Sequence, residues 1–145
     1  MAEVRGCQIP EDRIYWVEKH VWAQVLSPGR VRVGMTAVAQ KLAGNLNAIT
    51  PKAVGKEVAK GKSLATAESS KWVGPIPTPF SGKVTAVNEA LAANPALANS
   101  DPYGAGWIAE LAPSSLEEEL KSLVSGAEGV AAYQAFLEKE DISCT

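Results

Sequence analysis

The sequence holds a single histidine, His20, and only two cysteines, Cys7 and Cys144, near opposite ends of the chain. One imidazole and two distant thiols provide no metal-ligand spacing. Two cysteines are no disulfide framework. Cys144 reads as an ordinary thiol in a loose tail, Asp141 to Thr145. Cys7, with Arg5 nearby, stays open between an ordinary thiol and sulfur or redox chemistry. No apolar run approaches the roughly 20 residues of a membrane span, and the N-terminus has no apolar core of a secretory signal. A cytoplasmic protein, or the soluble content of an organelle, is expected. Charge of one sign is also missing. The net charge is −2 and the basic residues are dispersed, so neither a nucleic-acid footprint nor a basic membrane-binding face is present.

The residues present describe a folding chain. Hydrophobic residues make up 46% and charged residues 21% of 145 positions, a globular composition and a length that fits one domain, 1–145. The segments "VWAQVL" and "VRVGM" flank the turn "SPGR" and predict a hairpin. Thr36 is the expected N-cap of a short helix that stops at Gly44. "LNAIT", "SLATAES", "SGKVTAVN" and "WIAEL" read as short strands separated by Gly and Pro turns. A helical turn near Glu89 to Leu97 is broken at Asn94-Pro95. After Pro113, Ser114 or Ser115 with Glu117 or Glu118 suggests a capping box, and Leu116, Leu120 and Leu123 share one helix face. Gly126 and Gly129 punctuate the chain after that face, and "VAAYQAFLEKE" predicts a last helix with Tyr133, Phe136 and Leu137 on one side. The result is a β-rich core, about 14–112, with helices at about 114–140. A small barrel or sandwich is expected.

Enzyme motifs fail on inspection. "GKEVAKGKS" resembles a phosphate-binding loop, but five residues separate Gly55 from Gly61 where the motif needs four, and a strand pattern comes after Ser63. No serine or cysteine sits in an elbow motif. His20, at a strand start, reads as structural. Glu117, Glu118 and Glu119 are charges favoured at a helix start. Asp101, before Pro102, reads as a turn residue, and Tyr103 and Trp107 as packing residues of the Gly-rich loop. Lys71 remains. It lies on a turn between "LATAES" and three prolines, Pro75, Pro77 and Pro79, which restrict the backbone beyond it. A reachable amine on a rigid frame suits covalent modification, which would remove its charge.

Several motifs in order carry a resemblance. "VGKEVAKGKSLATAESSK" and then "PTPFSGKVTAVNEAL" resemble the biotinyl and lipoyl carriers. "NPALANSDPYGAGWIAEL" and "VRVGMTAVAQKLAGNL" resemble the H proteins of the glycine cleavage system, over about residues 14 to 140. The resemblance implies a lipoyl domain, a flattened barrel-sandwich of two small sheets with short helices and a C-terminal helical flank. It implies lipoate amide-linked to Lys71, with Glu68, Ser70 and Trp72 as flanking recognition residues, on a carrier that is not itself an enzyme. The implied partners are a lipoate-protein ligase or lipoyl transferase and a dihydrolipoamide dehydrogenase, and the carrier is expected to be a monomer. The loaded arm is expected to fold back onto a cleft, with Trp72 either in that contact or packed on the neighbouring strand.

The wording departs from glycine-cleavage H proteins in places. Glu-Ser-Val-Lys-Ala is here Glu68-Ser69-Ser70-Lys71-Trp72, His-Glu-Trp is His20-Val21-Trp22, and Gly-Asp is Gly44-Asn45. The N-terminal "RGCQIPEDRIYWVEKHVW" and "ESSKWVGP" look more like the lipoate-binding proteins of sulfur oxidation. That likeness implies sulfur-bound intermediates and a heterodisulfide-reductase-like complex. The alternative is a glycine cleavage carrier serving glycine decarboxylase and aminomethyltransferase.

Overall fold

The structure is a computed structural model and describes residues 2–27 and 29–145. In chain order the strands are β1 (Glu3–Val4), β2 (Cys7–Gln8), β3 (Ile14–Trp16), β4 (Val21–Ser27) and β5 (Arg30–Met35), and helix α1 (Ala37–Ala43) comes after them. Then come β6 (Leu46–Pro51), β7 (Glu57–Val58), β8 (Ser63–Ser69), β9 (Val73–Pro77), β10 (Gly82–Val87), α2 (Ala90–Ala93) and α3 (Leu97–Ser100). The chain closes with β11 (Ala109–Pro113), α4 (Leu116–Leu120), β12 (Val124–Ser125) and α5 (Gly126–Glu140).

The strands form an open barrel-sandwich, with β12-β3-β4-β5-β11-β10-β7 in one sheet and β6-β8-β9 in the other. The sheets are therefore unequal, and β1 and β2 add a separate hairpin. The hairpin expected around "SPGR" is β4–β5, with Ser27 opposite Arg30; Pro28 of that turn lies outside the described residues. Alternation decides the two faces of β4. Val21 and Ala23 enter the core between the sheets, beside Val31, Val33, Leu64, Ile76 and Phe80. Trp22 points to the opposite face and is buried with Tyr15, Val38, Tyr133 and Leu137 under α5. Pro75 and Pro77 sit in β9, at the edge of the small sheet. An edge strand tolerates residues that cannot donate to a ladder.

One charge cluster is drawn into the large sheet. Glu110 is 4% exposed and accepts from Arg30 and Arg32 at 2.9 and 2.7 Å. Burial alone would raise its pKa, but the hydrogen bonds and charges of Arg32 and Arg30 outweigh that and hold it below the usual value.

The C-terminal third departs from expectation. Ser115 caps α4 without a side-chain bond, so no capping box forms. Glu119 instead accepts from the backbone N–H and hydroxyl of Ser81, tying α4 to the start of β10. Leu116 and Leu120 pack on the core from α4, but the helix ends at Leu120, so Leu123 reaches the core from the turn beyond it and not from the expected helix face. The last helix begins at Gly126 and runs through Gly129. Gly129 is there for close approach, since a Cβ would lie 2.9 Å from the Tyr15 ring. The tail is not loose, and Cys144 is not a free thiol. Cys7 and Cys144 form a disulfide, with Cα atoms 5.0 Å apart. The backbone N–H of Cys144 donates to Arg5 O, and the Arg5 guanidinium holds Ile142 O and Asp141. Chain folding alone brings these ends together, so no local spacing announces the bond.

Candidate functional site

The backbone N–H of Ser69 donates to Trp72 O at 2.7 Å, closing β8 to β9 around Ser70 and Lys71. Lys71 therefore occupies the hairpin tip, with an exposed side chain. The tip is braced from below. The Ser69 hydroxyl, buried, donates to Ala43 O at 2.6 Å at the end of α1, and it accepts from the N–H of Lys71. Gly44 ends α1 with φ of 80°, and a Cβ there would lie 2.9 Å from Lys71 Cε. The positive φ of Gly44 favours glycine there, and the lysine stem lies over it. Asn99 completes the brace, donating to Gly44 O and accepting from Leu46 N. The hairpin tip that carries the exposed lysine is thereby braced on α1 and α3.

Thr36 caps α1 as expected, its hydroxyl accepting from Ala39 N. On one side of that helix an apolar cleft of about 200 Å³ opens beside the hairpin. Its walls are Val21, Met35, Ala39, Leu42, Ala43, Pro75, Ile76 and Pro77, with Trp72, Lys19 and His20 completing the lining. Trp72, 37% exposed, lies over Gly74 of the neighbouring strand, the packing weighed for it, and also borders the cleft. Glu68 and Ser70 are exposed beside the lysine and lie outside the cleft. The volume and apolar walls suit a small ring or alkyl stem.

His20 is structural, and it also borders the cleft, a second role the sequence does not announce. It comes directly after a 3-10 turn at Val17–Lys19 and has φ of 57°. Its ring stacks on Tyr133 and meets Phe136 edge-on. Its Nδ1 lies 3.1 Å from the Tyr133 hydroxyl, which lies 3.0 Å from the Thr36 hydroxyl. Burial pushes the His20 pKa down to about 4, against a small opposing pull from Glu18. The imidazole is therefore neutral near pH 7. Because the folded state resists the proton, the unfolded state binds it first, and stability falls as pH drops from about 6.5 towards about 4. His20→Asn, which tolerates the left-handed backbone, should flatten the dependence of the denaturation midpoint on pH across that window. An unchanged slope would remove His20 from the account.

The other singled-out residues have structural tasks. Tyr103 accepts from Ala37 N and donates to Gln8 O. Trp107 packs under the Arg32 guanidinium. Asp101 accepts from Ala105 N within its loop. Strand β8 starts at Ser63 itself, so the phosphate-loop likeness has no helix N-terminus behind it. Among the described residues no His/Cys/Asp/Glu cluster could hold a metal, and no helix is long and apolar enough to cross a membrane.

Comparison with known proteins matches this geometry. The chain is 48% identical to "Glycine cleavage system H protein 5" of Aquifex aeolicus, over 99% of both chains. It is 40% identical to "Probable glycine cleavage system H protein 2" of Sulfurisphaera tokodaii, over 99% of this chain and 98% of that one. A solved glycine cleavage system H protein from Mycobacterium marinum superposes with a TM-score of 0.76 at 33% identity, over 92% of this chain and all of that one. Residues 14–139 match the family model described as glycine cleavage H-protein, and with that match the chain belongs to the glycine cleavage H-protein family.

Proposed function

We propose that this protein is a lipoyl carrier whose arm is built on Lys71, and that it is not itself a catalyst. The observation that carries the proposal is the braced hairpin tip, where an exposed lysine stands beside an apolar cleft of about 200 Å³. Lipoate, amide-linked to that amine, would supply a dithiolane that accepts electrons and thiol-bound groups. The chain's own residues present and shelter. Ser69, Gly44 and Asn99 hold the tip still, so the amine reaches a ligase or transferase at a fixed angle. Glu68, Ser70 and Trp72 form the exposed surface around the lysine that such an enzyme meets. The cleft offers the stem of the arm an apolar seat out of water.

The relatives' names support partners of the glycine cleavage type: glycine decarboxylase, aminomethyltransferase and dihydrolipoamide dehydrogenase. They lend no support to a heterodisulfide-reductase-like complex. That reading, the one the sequence wording favours, rests instead on the N-terminal segment from Arg5 to Trp22 and on Ser70 and Trp72 beside the lysine. In either case we expect a cytoplasmic monomer that cycles through a flavin dehydrogenase. The test of partnership is loading from glycine. Lipoylated protein with its cognate decarboxylase should take up label from glycine if it serves glycine cleavage. No uptake, with intact dehydrogenase turnover, would leave the sulfur-bound reading.

A further inference from the structure

A groove of about 460 Å³ runs along α1 on the face away from the apolar cleft, lined there by Ala37, Gln40 and Lys41 rather than by Ala39, Leu42 and Ala43. Towards the start of the helix its wall is Cys144, whose Sγ lies 4.0 Å from Ala37 O. Cys7, the disulfide partner, is 0% exposed, so a thiolate arriving through the groove meets Cys144 first. Towards the end of the helix the wall is Asn99, which donates to Gly44 O, the residue over which the Lys71 stem lies. The groove therefore joins the Lys71 stem to the disulfide along the seven residues of α1, about 10 Å of rise. The bonds from a lysine Cε to the nearer sulfur of an attached lipoyl group span about 10 Å when extended. Gln40 lines the groove between the two ends, and its side-chain nitrogen and oxygen, both shielded from water, have no hydrogen-bond partner among the described residues. An acylated lysine brings an amide of its own, with one N–H and one C=O, which is the complement of that unpaired group.

We propose that the Cys7–Cys144 disulfide is a second two-electron site of this protein, exchanging through the groove with a dithiol carried on Lys71. The exchange balances within the chain. Cys144 Sγ is attacked by one thiolate of the arm, the bond to Cys7 breaks, and Cys7 leaves as a thiolate that takes up the proton its attacker gave. Cys144 is then displaced by the arm's other thiolate and is protonated in the same way. Two electrons and two protons pass from the arm to the cysteine pair, and the arm regains its cyclic disulfide. The reverse exchange reduces the arm, and the two potentials set the direction. Neither direction needs a further oxidant or reductant. A reduced arm would thus regain its disulfide form on its own protein, before any visit to a dehydrogenase. After reduction the hydrogen bonds from Arg5 to Ile142 O and from Cys144 N to Arg5 O still hold the termini together. The inference rests on attachment at Lys71.

The test uses lipoylated full-length protein, with attachment first established by mass. The arm is reduced with dihydrolipoamide dehydrogenase and excess NADH, and samples are quenched in denaturant with iodoacetamide. Mass after digestion should show a label on each arm sulfur and on both Cys7 and Cys144. Lys71→Arg protein, given free dihydrolipoamide at the same concentration, should gain the cysteine labels about 100-fold more slowly, because its dithiol is not tethered. A disulfide that stays closed while the arm is reduced overturns the proposal, and so does one that opens equally fast in Lys71→Arg. A second variant reads the route. Cys7→Ser leaves Cys144 as the one thiol of the chain, and with the arm oxidised Cys144 should open the cyclic disulfide and bond to it. Digestion after alkylation should then join the Cys144 peptide to the Lys71 peptide of the same chain. A bond found only between chains, or none, overturns the proposal. Failure of lipoate to attach at Lys71 is a separate result and overturns the carrier reading instead.

Discussion

Lys71→Arg should yield a folded protein that no ligase can lipoylate, and group transfer between the partner enzymes should fall to the level of free lipoamide at equal concentration. The substitution keeps charge and length but removes the amine that forms the amide. Its structural cost should be small, because the Lys71 side chain is exposed and the tip is held by Ser69 and Ala43 through atoms the substitution does not touch. Tethering supplies the rest of the effect. An arm fixed to a docked carrier meets the active site at a high effective concentration, and losing it should cost roughly 10²–10⁴-fold in transfer. Thermal denaturation should stay near wild type, which separates loss of function from loss of fold. Transfer that survives Lys71→Arg would point to a different attachment site or to chemistry of another class.

The second large effect is on stability. Cys144→Ser removes a bond that closes the chain over a sequence separation of 137 residues. In the chain-entropy account a loop of that size is worth about 4–5 kcal/mol, a drop in melting temperature of roughly 10–20 °C for a domain of this size. The bond also fastens the β1–β2 hairpin and the tail to each other, over the cluster formed by Val4, Ile9, Tyr15, Trp22 and Leu137. Hydrogen bonds from Arg5 to Ile142 and from Cys144 N to Arg5 O remain, so the variant should still fold. Lipoylation at Lys71 should be unaffected, because the hairpin tip is braced by α1 and α3 rather than by the termini. A melting temperature within about 2 °C of wild type would show that the bond constrains little.

Legibility in the sequence tracks distance along the chain. The Lys71 hairpin is local: alternation in Leu64 to Ala67, a polar turn and prolines on an edge strand all speak within a few residues. The cap at Thr36 and the stop at Gly44 are local too. The rest is assembled from afar. Cys7 meets Cys144 only after the barrel and α5 are in place, so two lone cysteines read as ordinary thiols. Lys19 and His20 join the cleft because Tyr133 and Phe136, more than a hundred positions away, hold the imidazole. The Ser-x-x-Glu pattern near Ser115 misleads because Glu118 accepts from Lys121 and the Ser114 hydroxyl donates to Ser81 O, so the local capping box goes unmade. The family-specific wording around Lys71 identifies a lipoyl carrier more firmly than it identifies a pathway.

The most direct test of the carrier reading is the mass of the protein isolated from its own host, whole and after digestion. The account predicts an increment of one lipoyl group, localised to the peptide that contains Lys71 and absent from Lys71→Arg expressed in the same cells. A chain that never carries the group, or that carries it on another lysine, would contradict it.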